Sequence, residues 1–260
     1  MKIVILDAET FHYSDDEPWA PLRQFGELEL HAVTAHGDEA LIAERCAGAE
    51  VVLTNKVPLS ARVIKELNTL KLISVLATGY NVIDLDAARE QGVTVSNVPG
   101  YSTNFVAQHT VALMLTLCNR TAALGQWSAE GGWTRSRTFT WWDKPLIELD
   151  GLTVGIVGLG SIGRRVGEIV TALGAKVLGG SRSRRNAPDW PGFAWADHQE
   201  IFERSHIVTL HCPQTSENTG FVNADLLATM KPSAFLVNTA RGGLIDESAL
   251  KEALVNETIA

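Results

Sequence analysis

The sequence predicts an α/β protein made of two successive strand–helix series, each closing a parallel sheet. Three observations carry this reading. Short apolar runs alternate with stretches of helical spacing before residue 100. Asn97-Val-Pro-Gly100 then breaks the alternation. A second alternating series starts at Leu152, and no internal repeat or low-complexity tract crosses the pattern.

In the first series strands are expected at residues 3–6, 29–33, 51–54, 72–75 and 93–95, with helices within 38–46, 61–67 and 85–91. The break divides the chain into a first domain, 1–98, and a second, 99–260. A long helix follows from about Asn104 to Arg120. Its apolar residues, among them Val106, Val111, Leu113, Met114, Leu115 and Leu117, are too many for a one-sided surface helix, so burial between domains or between subunits is expected. Residues 125–150 hold Trp127, Trp133, Trp141 and Trp142, four of the seven tryptophans, with little regular periodicity. Such side chains need a cover, either the same chain or a second subunit. Aromatic enrichment in interface cores favours a homodimer arm at about 120–150, continuous with the helix from 104. The second series places strands near 153–157, 175–179, 207–210 and 234–238, and helices near 161–173, 197–204, 223–230 and 246–255.

Composition narrows the function classes. With 260 residues, 45% of them hydrophobic, the chain can bury a substantial core. A formal net charge of -8 argues against nucleic acid as a partner, because phosphate binding needs clustered positive charge. Cys46, Cys118 and Cys212 are far apart, odd in number and lack C-x-x-C spacing, which fits a reducing compartment, the cytoplasm by default. The N-terminal apolar run reads as a first strand, and no run is long enough for a membrane span. His12, His31, His36, His198 and His206 have no ligand spacing with cysteines or carboxylates, so no metal is expected.

The chemistry-bearing motif begins where an apolar strand, Leu152 to Val157, runs into Gly158-Leu-Gly-Ser-Ile-Gly163 and then a helix. This is a G-x-G-x-x-G turn in the context that seats a dinucleotide. Gly158 permits the tight turn, Gly160 admits a pyrophosphate close to the backbone, and Gly163 lets helix and strand pack. Ser161 and Ile162 open the helix whose amides and dipole hold the phosphates.

A second segment, Phe235-Leu-Val-Asn-Thr-Ala-Arg-Gly-Gly-Leu-Ile-Asp246, sets Arg241 at the carboxyl end of a strand, where open parallel sheets bind ligands. With the glycine turn, it resembles the D-isomer-specific 2-hydroxyacid dehydrogenase family. Ala77-Thr-Gly-Tyr-Asn-Val-Ile-Asp84, Asn97-Val-Pro-Gly-Tyr-Ser-Thr103 leading into Val106-Ala-Gln-His109, and Leu210-His-Cys-Pro213 extend the likeness over nearly the whole chain. The wording Thr54-Asn-Lys56 and NVPGYST is most similar to the glycerate dehydrogenases, or hydroxypyruvate reductases, of that family.

The resemblance implies two Rossmann-like domains, a flavodoxin-like substrate domain and a dinucleotide-binding domain. It implies hydride transfer between a nicotinamide and a small 2-oxo or 2-hydroxy acid, hydroxypyruvate first and glyoxylate second. Arg241 matches the substrate arginine, whose planar guanidinium holds a carboxylate and polarises the adjacent carbonyl. A structural ion pair is the competing role. Thr78 and Gly79 match the loop whose amides bind the carboxylate, and Lys56 is a second cation or a solvated surface lysine. Thr239 and Ala240, and the loop His211-Cys212-Pro213, match cofactor contacts. Cys212 has no base beside it in any readable motif and reads as a structural thiol, and His109 as a packing or domain-contact histidine rather than an acid.

One departure bears on cofactor choice. NAD enzymes of this type carry an acidic residue at the end of the second strand, on the ribose hydroxyls. Here Ser181 stands there, followed by Arg182, Arg184 and Arg185. Serine and arginine suit a 2′-phosphate, so NADP(H) is expected ahead of NAD(H), with an ordinary solvated basic loop as the alternative. The resemblance also implies an acid–base histidine, its orienting glutamate, further strands and a returning helix, all expected beyond Ala260. On that expectation the 260 residues are an incomplete account of the working polypeptide, its C-terminal part missing. Two other functions stay open from sequence: a dinucleotide-sensing co-repressor-like interaction protein, and another dehydrogenase of the family acting on D-lactate or phosphoglycerate.

Overall fold

The computed structural model describes residues 1–11 and 18–260; His12, considered above for metal ligation, lies outside them. The chain divides into two compact units, Met1–Ser102 and Thr103–Ala260.

The first unit is a five-stranded parallel sheet of β1 (Lys2–Ile5), β2 (Glu27–Leu30), β3 (Val51–Thr54), β4 (Leu72–Val75) and β5 (Thr94–Ser96), in the order β2-β1-β3-β4-β5. The central strands are apolar on both faces, as a doubly covered parallel sheet requires. Val4, Val52 and Ile73 pack with Ile42, Val63, Ile64 and Ala88 from three helices, α1 (Glu39–Arg45), α2 (Ala61–Glu66) and α3 (Leu85–Glu90). Ile3, Ile5 and Leu53 pack against Trp19, Leu22 and Leu28 on the other face. Each helix begins where a side chain can accept an orphan amide: Asp38 from Leu41, Ser60 from Val63 and Asp84 from Ala87. Strand β2 lies two residues earlier than its apolar content suggested. Its Glu-Leu-Glu-Leu alternation is the pattern of an edge strand with one wet face, and it pairs Glu27 to Leu30 with Lys2 to Ile5.

The second unit opens with α4 (Thr103–Asn119), α5 (Thr121–Ala129) and α6 (Gly132–Arg135). Its sheet contains β6 (Thr153–Val157), β7 (Lys176–Gly180), β8 (Ala194–Trp195), β9 (Ile207–Leu210) and β10 (Phe235–Asn238), all parallel, in the order β10-β9-β6-β7-β8. The helices α7 (Ser161–Ala172), α8 (His198–Arg204), α9 (Ala224–Ala228) and α10 (Glu247–Val255) complete it. One face of α4 is buried by its own unit, with Ala107, Val111, Met114 and Cys118 packed among Val154, Val166 and Val170. Its other side leaves Phe105, Leu113 and Leu117 exposed.

The tryptophan segment corrects the sequence reading, because it carries α5 and α6. Its helices escaped notice since α5 buries no residue, so no apolar period marks it. Trp127 stacks on Trp141 with centroids 4.1 Å apart and meets Trp133 edge-on at 4.9 Å, while Trp133 and Trp142 remain exposed.

Candidate functional site

In the second unit the carboxyl ends of β6, β7 and β9 converge on the glycine turn. The Gly158 amide donates to Gly180 O at 2.8 Å, and the His211 amide to Val157 O at 2.7 Å. Gly158 has φ +101, and a Cβ there would come within 2.5 Å of the Cys212 amide nitrogen. At Gly163 a Cβ would collide with the Gly158 carbonyl oxygen. At Gly160 the same Cβ would meet nothing within 4 Å. The first and third glycines are thus demanded by the fold. The second is not demanded by the fold, and it caps the N-terminus of α7, where amides and dipole favour an anion.

This turn forms one wall of a cleft of about 460 Å³. Among the residues singled out from sequence, Gly158, Gly160, Ser181, Arg182, His211, Cys212 and Pro213 line it. Arg184 is exposed and is not part of the lining, nor are Ser161, Ile162 and Gly163. The sequence reading missed Ser183, His198, Thr215, Glu217, Asn218 and Phe221, which also line the cleft. His198 and Phe221 lie with ring centroids 5.2 Å apart, and Asn218 folds its own loop by accepting from the Thr215 amide and donating to Pro213 O. No periodicity announces these residues; only topology brings α8 and the 213–221 loop beside the glycine turn. Burial pushes the His211 imidazole down to about 4, and it also raises the Cys212 thiol. A neutral histidine and a protonated thiol are therefore what the cleft offers, and neither acts as a nucleophile or acid there at neutral pH. A glycine cradle, a helix N-terminus and serine and arginine at the end of β7 fit a dinucleotide phosphate chain and its ribose.

Arg241 follows β10 on a turn held by Asn238, whose Oδ1 accepts from the Ala240 amide at 3.0 Å and whose Nδ2 donates to Arg241 O at 2.9 Å. The guanidinium is exposed, donates through Nη1 to Ala240 O at 2.8 Å, and forms no ion pair among the described residues. The competing role as a structural ion pair is thus not the one adopted. Thr239 turns toward α4. Since the Thr110 hydroxyl donates to Val106 O, the 2.8 Å contact is a donation from Thr239 to Thr110. His109 is exposed on α4, beside Phe105, Leu113 and Thr239, so its own unit does not bury it.

In the first unit Lys56 is exposed and forms no ion pair among the described residues. Its backbone is fixed by the buried Asp7, whose carboxylate accepts from the amides of Asn55, Lys56 and Val57 at 2.6 to 3.4 Å. The Thr78 hydroxyl donates to Val98 O, and Thr78 O accepts from Asn97 Nδ2 at 2.8 Å, so the 77–79 loop is tied to the Asn97 segment. Among the described residues no group of three His, Cys, Asp or Glu side chains is placed to hold a metal ion, and no helix is long and apolar enough to cross a membrane.

Comparison with known proteins adds the following. Residues 111–260 match the family model described as D-isomer specific 2-hydroxyacid dehydrogenase, NAD binding domain. The chain is 36% identical over 260 residues to a hydroxypyruvate reductase of Blautia hydrogenotrophica, covering all of this chain and 80% of that protein. It is 38% identical over 262 residues to a glycerate dehydrogenase of Methylorubrum extorquens, covering 99% of this chain and 78% of that one. Among solved structures, D-lactate dehydrogenase from Aquifex aeolicus, complexed with NAD and lactic acid, gives a TM-score of 0.87 at 26% identity over 100% of this chain and 74% of its own. An acyclic imino acid reductase in complex with NADPH and D-Arg gives 0.86 at 27% identity, over 100% and 80%. These likenesses favour catalysis over the interaction-protein alternative. The chain belongs to the D-isomer specific 2-hydroxyacid dehydrogenase family, as an enzyme that works with a nicotinamide dinucleotide.

Proposed function

We propose that this enzyme reduces hydroxypyruvate, with glyoxylate as a second substrate, to the D-2-hydroxy acid, and that it prefers NADPH to NADH. A dinucleotide seated in the cleft would supply the hydride to C2 of the 2-oxo acid and be oxidised in turn, while solvent water would supply the proton taken up by the carbonyl oxygen. The observation that carries the substrate reading is likeness to a hydroxypyruvate reductase over all of this chain and 80% of that protein, and to a glycerate dehydrogenase over 99% of this chain and 78% of that one. Arg241, whose Nη1 donates to Ala240 O and which forms no ion pair among the described residues, holds the substrate carboxylate and polarises the carbonyl. In the first unit, the Thr78–Gly79 amides and the Lys56 ammonium are the groups assigned to bind a carboxylate. Gly158, Gly160 and Gly163 with the amides of Ser161 and Ile162 seat the pyrophosphate, and Ser181 and Arg182 face the ribose 2′ position, with Arg184 adding charge nearby.

NADPH preference rests on the absence of a carboxylate at Ser181 and the presence of Arg182 in the cleft wall. We also assign the protein to the cytoplasm and to a homodimer through residues 104–150, where Phe105, Trp133, Phe139, Trp142 and Leu146 are each more than half exposed. The test is initial-rate oxidation of NADPH and NADH with hydroxypyruvate, glyoxylate, pyruvate and phosphohydroxypyruvate, for the wild type and for Ser181→Asp combined with Arg182→Ala. Hydroxypyruvate should give the highest kcat/KM, and the double variant should turn the cofactor preference toward NADH. A faster reaction with pyruvate would overturn the substrate reading, and an unchanged cofactor ratio the cofactor reading.

A further inference from the structure

A 2′-phosphate at the end of β7 would lie beside a basic loop. Residues 182–187 are all exposed, carry three arginines and lie between β7 and β8 with no regular structure of their own. Three exposed cations on a free loop would repel one another and lose conformational entropy on gathering around a phosphate. Here the loop is held. Arg164, on the first turn of α7 directly after the last glycine of the motif, donates from Nη2 to Asn186 O at 2.6 Å and to Arg185 O at 3.3 Å. Asn186 has φ +53, a left-handed conformation that asparagine tolerates better than most residues. That turn and the Arg164 fork together fix the far end of the loop, while Ser181, Arg182 and Ser183 at its near end line the cleft.

We infer that Arg164 is a positioning residue for cofactor discrimination: it clamps the basic loop so that Arg182 is presented to a 2′-phosphate without a large ordering cost. The inference rests on the NADPH reading above. It differs from a direct phosphate contact by Arg164 in what the guanidinium does: Nη2 is committed to two backbone carbonyls, and a part played through the loop shows in the loop's own mobility, which a phosphate contact by the remaining N–H donors would not change. Its signature is selective. Loss of the clamp weakens recognition of the 2′-phosphate and leaves the glycine turn and the α7 amides, which serve any adenine dinucleotide, unaltered.

The test uses calorimetric binding of 2′,5′-ADP and 5′-AMP to the wild type and Arg164→Ala, with limited trypsin digestion of both proteins without nucleotide. The wild type should prefer 2′,5′-ADP, and the alanine variant should lose about fivefold or more of that preference while its 5′-AMP affinity stays within about twofold. Trypsin should nick the variant faster after Arg184 and Arg185, because an unclamped loop is a better protease substrate. A wild type with no preference for 2′,5′-ADP overturns the cofactor reading and this inference with it. A wild-type preference that survives unchanged in the variant overturns the clamp alone. Equal weakening of both nucleotides, or unchanged nicking with a lost preference, also overturns it, the second by assigning Arg164 to the phosphate itself.

Discussion

In the first unit the strand order reverses between β1 and β3, and in the second between β6 and β9. Parallel sheets of both kinds offer their ligand crevice at that reversal, outside the carboxyl ends of the strands. The first unit closes its reversal from within, because Asp7 at the end of β1 places a buried carboxylate against three successive amides at the end of β3. An internal anion holds those donors. In the second unit the equivalent ground carries glycines, a helix N-terminus and a cleft whose lining includes Glu217, and among the described residues no side-chain carboxylate accepts from the amides of the glycine turn. One crevice is thus used to fix a loop that bears Lys56, and the other is shaped for an anion that comes with the cofactor. Two sheets with the same strand count reach different ends through a single choice: whether a side chain supplies the negative charge.

Changing the buried groups at each reversal tests this contrast. The largest effect concerns pH and the second unit. Burial holds the His211 imidazole at about 4, against an ordinary 6.5 when unfolded. The unfolded chain therefore binds the extra proton first as pH falls. The stability tied to this group is complete above 6.5 and is lost as pH drops toward 4, by about 3 kcal/mol in all. Urea midpoints measured from pH 7.5 to 4.5 should fall more steeply for the wild type than for His211→Gln. Parallel curves would show that burial does not control this wall of the cleft.

A smaller loss is expected in the first unit. Asp7→Asn leaves one acceptor oxygen where the carboxylate has two, and should cost about 2 kcal/mol in urea unfolding while raising KM for hydroxypyruvate through the loosened Lys56 loop. An unchanged KM would separate Asp7 from substrate binding. The smallest stability effect belongs to Gly160→Ala, whose Cβ meets no atom of the chain. Its unfolding midpoint should match wild type within about 0.5 kcal/mol, yet NADPH affinity should drop about tenfold or more as the methyl occupies the pyrophosphate approach. Normal binding by this variant would remove the pyrophosphate from the turn.

Much of the architecture was legible because apolar runs and turn residues are local signals. β3, β4, β6 and β9 fall where the runs lie, and the helix starts follow Asp38, Ser60, Asp84 and Asp197. What escaped has no local period. β8 is two residues long, and α5 buries no residue fully. The glycine turn and Arg241 were readable as motifs, and Ser181 as a departure from an expected acid. Asp7, Arg164, Asn238 and Phe221 were not, because each acts on residues that only strand pairing or helix packing brings near. Asp7 lies 48 residues from Asn55, and Arg164 lies 22 from Asn186.

Amide hydrogen exchange with and without NADPH tests the contrast most directly. The account predicts new protection at residues 158–163, 180–183 and 211–218, with the amides of Asn55, Lys56 and Val57 unchanged because Asp7 already holds them. Protection gained at 55–57 and absent from the glycine turn would contradict it.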